Sequence, residues 1–335
     1  MQINCQAAMT EKARLEAFSY EPSELGPFDI DVEITHCGIC HSDLHLVNND
    51  WGISTYPLVP GHEIIGTVTA AGPMVTHLAV GQRVGIGWQR SACLQCETCL
   101  AGEENLCAKS EATCVGHYGG FATAIRTDSR FAFAIPEALD SENAAPLLCA
   151  GVTVFTPLKH FNVRPMMRVG VIGIGGLGHL AVQFARAFGC EVTAFSSSPD
   201  KEAEAKALGA HHFLSSRDQQ ALEAAAGSLD FILSTVNVDL DWTTYLNILR
   251  PNGKLCQLGL PPSPLTVPIL PLLFGRKSVC SSPIGGRRDM IDMLEFAARH
   301  NIVAKTELMP LGQVNDALAR LAENKARYRI VLKVS

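Results

Sequence analysis

A glycine-rich turn in the middle of the chain constrains the fold more than any other feature of the sequence. The segment RVGVIGIGGLGHLAVQFARAFG, residues 168–189, reads as a buried strand, a turn and an amphipathic helix. Its turn has the pattern G-x-G-x-x-G, which in this context is typical of dinucleotide binding, with a ligand-free tight turn as the alternative. Glycines permit the tight turn and close approach of a pyrophosphate, and the helix N-terminus offers free N–H groups. The candidate cofactor-binding residues here are Gly173, Gly175, Gly176, Leu177 and Gly178.

The pattern of apolar and polar residues along the chain changes near residue 150. Before it, short alternating runs broken by Gly and Pro predict a mainly β domain, whereas strands and helices alternate after it and predict a parallel sheet. The C-terminal run YRIVLKV needs a sheet to join, and the α/β alternation fades near residue 285. We therefore expect an α/β protein with a doubly wound parallel-sheet domain at 150–286. The other, discontinuous domain would comprise 1–149 and 287–335.

Composition excludes several classes of protein. The 335 residues are 47% hydrophobic and 18% charged, which is typical of a globular chain. The net charge is −6 and no basic block occurs, so we expect no nucleic-acid partner. The N-terminus lacks the pattern of a signal peptide, and no apolar run reads as a membrane span, which predicts a cytoplasmic protein. Twelve cysteines in such a chain indicate metal or redox chemistry rather than disulfides.

Four of these cysteines crowd into the polar segment CLQCETCLAGEENLC. Cys93, Cys96, Cys99 and Cys107 follow the spacing C-x2-C-x2-C-x7-C. Four thiolates can close a tetrahedral zinc shell with no open position, which makes a structural site. Four core thiols and an iron–sulfur cluster are the alternatives. A bacterial ferredoxin run has three residues before its fourth cysteine and a proline after it. Seven residues and an alanine stand there in this chain, which favours zinc.

A second group of metal-binding side chains begins in CGICHSDLH, residues 37–45, and continues in GHE, residues 61–63. A catalytic zinc needs about three protein ligands and an open position. A C-x-x-C redox pair is the alternative, although no thioredoxin-like βαβ pattern surrounds it. Spacing alone does not choose among the candidate ligands. They are Cys37, Cys40, His41, His45, His62, Glu63 and the distant Cys149.

The second strand of the dinucleotide domain ends in FSSSPDK, residues 195–201. A domain that binds NAD calls for an acidic residue about 20 positions after the glycines, to bind the ribose. Ser196, Ser197 and Ser198 stand there instead, followed by Lys201. Hydroxyl groups and a cation suit the 2′-phosphate of NADP, whereas the alternative is an ordinary helix cap by Ser198. The two are compatible.

In these stretches the chain resembles the zinc-dependent medium-chain alcohol dehydrogenases. The cinnamyl-alcohol-dehydrogenase-like branch, which includes bacterial broad-range aldehyde reductases, is the most similar. The stretches that carry the resemblance run in the family's order over nearly the whole chain. They are CGICHSDLH, YPLVPGHEIIGTV, VGQRVGIG, the four-cysteine segment, APLLCAGVTVF, GIGGLGHLAVQFARAFG and FSSSPDK. The resemblance implies a GroES-like catalytic domain and a Rossmann-type cofactor domain.

The resemblance also implies a ligand set for each of two zinc ions per subunit. Cys40, His62 and Cys149 would hold the catalytic zinc, with Glu63 beside it and Asp43 orienting His62. Cys37 would not bind. The cysteines at 93, 96, 99 and 107 would hold the structural zinc.

Further roles follow from the same resemblance. Ser42 and His45 match a proton relay, while Trp51 and Ile53 match the substrate pocket. The positions that match cofactor contacts outside the glycine turn and the serine run are His41, Thr153 and Thr235.

The predicted activity is hydride transfer between NADP(H) and an aldehyde/primary alcohol pair, with zinc as the Lewis acid. The alternatives are an NAD-dependent polyol or threonine-type dehydrogenase of the same fold and a non-enzymatic cofactor-binding protein. Trp51 and the short loop after Cys107 depart from plant enzymes of this branch, so cinnamyl alcohols are doubtful natural substrates.

The remaining features predict assembly and packing. The apolar, Pro-broken segment 261–277 predicts an edge strand or a loop, and part of it, 264–274, predicts a homodimer or homotetramer. We interpret His211 and His212 as strand or surface residues. Cys5, Cys114, Cys190, Cys256 and Cys280 are interpreted as small apolar fillers or exposed thiols.

Overall fold

The structure is a computed structural model that describes residues 1–334. They divide into two units. The first comprises Met1–Val152 together with the chain from Gly285 onward, and the second is Thr153–Ile284.

The elements are numbered in chain order. The strands are β1 Ile3–Ala7, β2 Glu16–Tyr20, β3 Asp29–Ile39, β4 Ile64–Ala71, β5 Arg83–Ile86, β6 Gln89–Ser91, β7 Glu111–Ala112, β8 Ala124–Asp128, β9 Ala132–Ala134, β10 Arg168–Ile172, β11 Glu191–Ser196, β12 His212–Ser215, β13 Leu229–Ser234, β14 Leu249–Gln257, β15 Ser278–Ser281, β16 Thr306–Pro310 and β17 Arg329–Lys333. The α-helices are α1 His41–Asn48, α2 Glu97–Leu100, α3 Ser141–Ala144, α4 Ala150–His160, α5 Gly178–Ala187, α6 Glu202–Ala207, α7 Gln219–Ala224, α8 Trp242–Ile248, α9 Ile269–Gly275, α10 Arg287–His300 and α11 Val314–Ala322. Short 3-10 helices lie at Glu104–Leu106, Ser129–Phe131, Ala145–Leu148, Pro199–Lys201 and Leu311–Gln313.

The first unit is built on a sheet of order β16-β17-β3-β4-β5-β9, with β8 also paired to β3. The central strands pair antiparallel, and buried aliphatic side chains such as Ile30, Val32 and Ile34 of β3 form its core. The C-terminal strand β17 pairs antiparallel with the end of β3, where Leu332 lies opposite Cys37. This pairing places the last strand directly beside the segment that carries the candidate zinc ligands.

The second unit is a parallel sheet of order β12-β11-β10-β13-β14-β15. The chain winds outward from β10 in one direction and then crosses back to β13, so the strand order reverses between these two strands. Ligands of such sheets bind at the carboxyl ends of the strands beside this reversal. The predicted fold class, a Rossmann-type parallel-sheet domain plus a mainly β domain, is confirmed.

The Pro-broken segment differs from the prediction of an edge strand or loop, because Ile269–Gly275 forms helix α9. Pro268 is its N-cap and Pro271 lies in its first turn, where backbone N–H groups have no partner within the helix and proline is tolerated. None of its residues is buried. The edge strand of this sheet is instead β15, three residues after the helix.

Candidate active site and metal centres

The four-cysteine segment forms a compact thiol cluster in the first unit. The sulfur atoms are 3.9 Å apart for Cys93 and Cys99, 3.8 Å for Cys96 and Cys107, and 3.6 Å for Cys107 and Cys93. Tetrahedral zinc–sulfur bonds of about 2.3 Å place pairs of sulfur atoms about 3.8 Å apart. A disulfide requires about 2.05 Å, and all four cysteines are free thiols. The cluster therefore has the dimensions of a closed zinc shell.

A buried carboxylate that sequence reasoning missed anchors this segment. Glu104 is 2% exposed, and its Oε1 accepts a hydrogen bond of 2.8 Å from Nε of Arg287 at the start of α10. Its Oε2 accepts from the Arg287 backbone N–H at 3.1 Å. Its backbone carbonyl accepts from the amide of Gln89 at 2.7 Å. The cluster is therefore tied to β6 and to α10.

A second cluster brings together Cys40, His62, Glu63 and Cys149. One ligand atom of each lies within 4.8 Å of those of the others, and all four residues are buried. The two sulfur atoms are 3.9 Å apart. Nε2 of His62 and Oε2 of Glu63 have no hydrogen-bond partner. Buried polar atoms are costly unless they are paired, so unpaired nitrogen and oxygen atoms beside two thiols fit a metal ion.

Asp43 fixes the geometry around His62. Its side chain accepts hydrogen bonds from the backbone N–H groups of Cys40 and Gly61, both at 2.9 Å, and its Oδ1 lies 3.1 Å from Nδ1 of His62. Donation from Nδ1 to this carboxylate leaves the lone pair of Nε2 free for a metal. Gly61 has φ +101°, and a Cβ there would lie 2.7 Å from Phe121. The peptide before His62 therefore requires glycine.

Cys37 lies outside this cluster. It is fully buried, and its thiol donates to the carbonyl of Gly38 at 3.6 Å. Cys40 instead follows the end of β3 and is the N-cap of α1. The backbone turns at this point from strand to helix, which directs the two cysteines of the C-x-x-C segment to different environments.

Glu63 forms a buried ion pair with Arg329 of β17, a residue that sequence reasoning did not single out. Nη2 of Arg329 contacts Oε1 of Glu63, and the two side chains are 4% and 0% exposed. Burial raises the pKa of Glu63 to about 7, against the opposing effect of the arginine. A Cβ at Gly38 would lie 2.0 Å from Oε2 of Glu63, so glycine leaves room for this carboxylate.

The predicted relay residues lie on α1. Ser42 and His45 are three residues apart and share a face of the helix. The thiol of Cys40 lies 3.7 Å from Oγ of Ser42. Nδ1 of His45 lies 2.8 Å from Oδ2 of Asp50, and both side chains are partly exposed. Sequence reasoning missed Asp50, because acidic residues at a helix end are common on any surface. His41 is partly buried at the start of the same helix.

Aromatic side chains surround the second cluster. The ring of Trp88 lies edge-on to His62 at 5.0 Å and to Trp51 at 6.2 Å between centroids. Trp51 also lies 5.1 Å from the ring of His45. Ile53 is 45% exposed. Trp88 was missed because an aromatic residue after the apolar run of β5 reads as core.

The glycine turn of the second unit has the features that a phosphate cradle requires. Gly173 has φ +86°, and a Cβ at Gly178 would lie 1.7 Å from the carbonyl oxygen of Gly173. No atom lies within 4 Å of a Cβ placed at Gly175, which leaves space for a ligand. The hydroxyl of Thr235 donates to the carbonyls of Ile172 and Gly173 at 3.0 Å and holds the turn against the end of β13.

The serine run ends β11 beside this turn. Ser196 is buried, Ser197 is exposed and Ser198 is partly exposed. Nζ of Lys201 donates to the carbonyl of Ile174 at 2.7 Å, which brings its positive charge to the glycine turn. Thr153 is partly exposed on α4. Hydroxyls and an ammonium group in this position fit a 2′-phosphate.

Comparisons with known proteins agree with this architecture. The family model described as "Alcohol dehydrogenase GroES-like domain" matches residues 26–137, and that described as "Zinc-binding dehydrogenase" matches residues 176–299. Aldehyde reductase AdhA of Synechocystis sp. is 47% identical over 99% of each chain. A probable mannitol dehydrogenase of Fragaria ananassa is 45% identical over 98% of this chain and 94% of its own length.

Solved structures of alcohol dehydrogenases also resemble this chain over nearly its whole length. The cinnamyl alcohol dehydrogenase SbCAD4 of Sorghum bicolor superposes with a TM-score of 0.95 and 38% identity, over 99% of this chain and 98% of that one. The enzyme from Helicobacter pylori described as CAD complexed with NADP(H) gives 0.91 and 32%, over the same shares of the two chains. The fold and the two site regions define an oxidoreductase of the alcohol and aldehyde dehydrogenase class. The chain belongs to the zinc-dependent medium-chain alcohol dehydrogenases, in their cinnamyl-alcohol-dehydrogenase-like branch, as the resemblance predicted.

No helix within residues 1–334 is both long enough and apolar enough to cross a membrane.

Proposed function

We propose that the protein reduces aldehydes to primary alcohols with NADPH and also catalyses the reverse reaction. The observation that carries the proposal is the buried cluster of Cys40, His62 and Cys149, in which Nε2 of His62 lacks a partner. Two thiols and one imidazole provide the three protein ligands that a catalytic zinc needs. The presence of this ligand set argues against a non-enzymatic cofactor-binding protein.

We assign separate roles to the two clusters. Cys40, His62 and Cys149 would hold a catalytic zinc with Glu63 beside it, and the four-cysteine cluster would hold a structural zinc. When bound at the first cluster, zinc would supply Lewis-acid polarisation of the carbonyl oxygen. Asp43 keeps His62 in the tautomer that can bind, and the ion pair with Arg329 holds Glu63 in place.

The chain must also deliver a proton, because aldehyde reduction takes one up. The hydroxyl of Ser42 would donate a proton toward the substrate oxygen, and His45, which shares a face of α1 with Ser42, would resupply that proton. His45 is partly exposed and its Nδ1 lies against Asp50, so it can be reprotonated from solvent. Trp88 and its neighbour Trp51 present apolar surface beside His62, which would exclude water from the reacting carbonyl.

The glycine turn and the serine run would bind NADP(H), with His41, Thr153 and Thr235 as further contacts. The structural relative from H. pylori is described as complexed with NADP(H), which supports this choice of cofactor. Hydrogen bonds to charged groups are worth ~1.5–3 kcal/mol each, so two from Ser197 and Ser198 would favour NADPH by on the order of 10²- to 10⁴-fold.

Ser197→Asp tests this cofactor assignment. The introduced carboxylate would repel a 2′-phosphate and accept from a ribose hydroxyl, so kcat/KM should fall far more for NADPH than for NADH. Ser228→Asp, just before β13 and so at the opposite, amino end of the sheet, is the matched control and should keep the preference for NADPH. Equal efficiency of the wild-type enzyme with both cofactors would show that the serines do not select the 2′-phosphate.

Relatives named mannitol dehydrogenases make polyol oxidation the second candidate. The test is metal analysis together with steady-state assays of benzaldehyde and NADPH, and of mannitol with NADP and NAD. We expect two zinc ions per chain and a kcat/KM for benzaldehyde well above that for mannitol. A preference for mannitol would favour the polyol enzyme, and a folded, inert, metal-free protein would overturn both.

We further propose that the protein assembles as a homodimer, or as a pair of such dimers. Helix α9 exposes four large apolar side chains. Ile269 is 67% exposed, Leu270 60%, Leu273 62% and Phe274 84%. Such a patch is unusual on the surface of a monomer and is typical of an interface. Helix α9 belongs to the second unit, so the two chains would pair through the cofactor domain.

A further inference from the structure

Two cysteines outside both metal clusters face each other across the edge of the parallel sheet. Cys256 of β14 and Cys280 of β15 are direct partners in the strand register. Adjacent strands lie ≈ 4.8 Å apart, and directly paired side chains project from the same face of the sheet. A disulfide requires Cα atoms about 4.4–6.8 Å apart, so the backbone positions permit one.

The two side chains are also close neighbours. Sγ of Cys280 lies 3.6 Å from the carbonyl oxygen of Leu255, the residue before Cys256, and each thiol shifts the pKa of the other. Both cysteines are free, and Cys256 is fully buried whereas Cys280 is partly exposed. An oxidant from solvent would therefore meet Cys280 first.

The opposite face of the same strands carries α9. Leu255 and Val279 belong to the apolar cluster that also contains Leu272 of α9. Because side chains alternate along a strand, Cys256 and Cys280 project from the other face. The dithiol therefore lies on the face of the sheet opposite to α9.

We propose that Cys256 and Cys280 form a redox-modification site, in which hydrogen peroxide converts the pair into an intrachain disulfide. The Cys280 thiolate attacks one peroxide oxygen, which breaks the O–O bond and leaves a sulfenic acid and water. The sulfur of Cys256 then attacks the sulfur of Cys280, and the sulfenic hydroxyl leaves as water with the proton of Cys256. In total, two thiols lose two electrons and two protons, and one peroxide becomes two water molecules.

The environment of each thiol matches its role in this sequence. Donation from the Cys256 thiol lowers the pKa of Cys280 and outweighs its burial, and the charge of Lys254 lowers it further. The same donation toward Cys280, together with burial, raises the pKa of Cys256. A lowered pKa favours the attacking thiolate, whereas a buried thiol with a raised pKa suits the resolving position.

Peptide mapping of the zinc-loaded enzyme tests the proposal. Tryptic cleavage places Cys256 in peptide 255–276 and Cys280 in peptide 278–287, each with a single cysteine. After treatment with one equivalent of peroxide and alkylation of free thiols, we expect these two peptides linked, within a single chain on a non-reducing gel. Dithiothreitol should reverse the link. Two fully alkylated peptides, a link to another cysteine or a link between chains would overturn the proposal.

Variants test the order of the two steps. In Cys256→Ser, Cys280 has no resolving partner, so its sulfenic acid should persist and be trapped by dimedone. Cys190→Ser removes a buried thiol elsewhere in the same unit and should leave the linked peptides unchanged. Dimedone labelling of Cys256 in a Cys280→Ser variant, without labelling of Cys280 in Cys256→Ser, would contradict the assigned order.

Discussion

Among single residues, Arg329 stabilises the site through a contact that spans most of the chain. Its guanidinium pairs with Glu63, which lies 266 positions away in sequence, and both side chains are buried. The pair depends on both partners, because removing one leaves an uncompensated buried charge. Glu63 in turn lies beside the proposed catalytic ligands, so the C-terminal strand supports the active site directly.

Arg329→Met should therefore destabilise the protein strongly. Loss of one partner of a buried ion pair costs ~3–5 kcal/mol, whereas an exposed pair is worth ~0–1 kcal/mol. Thermal unfolding followed by circular dichroism should show a drop of several degrees for Arg329→Met. Arg320→Met, which breaks the partly exposed pair with Glu307, should change the midpoint little. Equal effects of the two variants would show that the buried pair has no special role.

Residues in local patterns were predictable from sequence, and residues brought together by the fold were not. The four cysteines lie within fifteen positions, so their spacing alone indicates a metal site. Arg329, Asp50 and Trp88 carry no local signal. Arg329 resembles any charge in a final strand, and only the pairing of β17 with β3 brings it to Glu63.

Among the secondary-structure elements, β14 ends at Gln257, whose side chain hydrogen-bonds to the loops that follow β13 and β14. It is 4% exposed, and its Nε2 donates to the carbonyls of Val236 and Gly259, both at 2.9 Å. A Cβ at Gly259 would lie 1.9 Å from the Val236 carbonyl oxygen, which shows how closely the loops approach. Both loops lie at carboxyl ends of strands, where the cofactor of a doubly wound sheet binds.

Gln257→Leu should consequently weaken cofactor binding. Two buried carbonyls would lose their donors at a cost of ~1–3 kcal/mol each, and the loops should move. Titration of NADPH fluorescence should show a dissociation constant at least ~10-fold higher, from the lower end of that range. Gln219→Leu, on the exposed helix α7, is the matched control and should bind as the wild type does. An unchanged dissociation constant of NADPH for Gln257→Leu would show that the loops keep their positions without these two hydrogen bonds.

The contrast between α9 and β15 shows where element prediction fails. The prolines of segment 261–277 exclude a long helix, but the sequence does not show that proline in the first turn permits a short one. The strand–turn–helix around the glycines was clear, because its apolar strand, its turn and its amphipathic helix are contiguous. How much of α9 is exposed depends on which of its faces are covered by other elements of the unit. The periodicity of the local sequence does not show this.

For the whole molecule, the exposed face of α9 predicts the assembly state. Leu270→Glu combined with Phe274→Glu places two charges in the proposed interface, and buried unpaired charges oppose association. Light scattering at micromolar concentration should show a dimer or tetramer for the wild type and a monomer for this variant. Leu308→Glu alters a 45% exposed leucine in the other unit and should leave the assembly intact. A monomeric wild type would contradict the proposal.

The two clusters predict two zinc ions with separate purposes, one in catalysis and one in folding. Zinc content, melting temperature and NADPH-dependent benzaldehyde reduction, measured side by side for the wild type, Cys149→Ala and Cys96→Ser, distinguish these purposes. We expect two zinc ions per wild-type chain. Cys149→Ala should lose one zinc and all turnover, yet stay folded and bind NADPH. Cys96→Ser should lose the other zinc and melt at lower temperature, because structural zinc contributes directly to folding. A Cys96→Ser enzyme with wild-type melting and no activity, beside an active Cys149→Ala enzyme, would show that the two metal sites have the opposite roles.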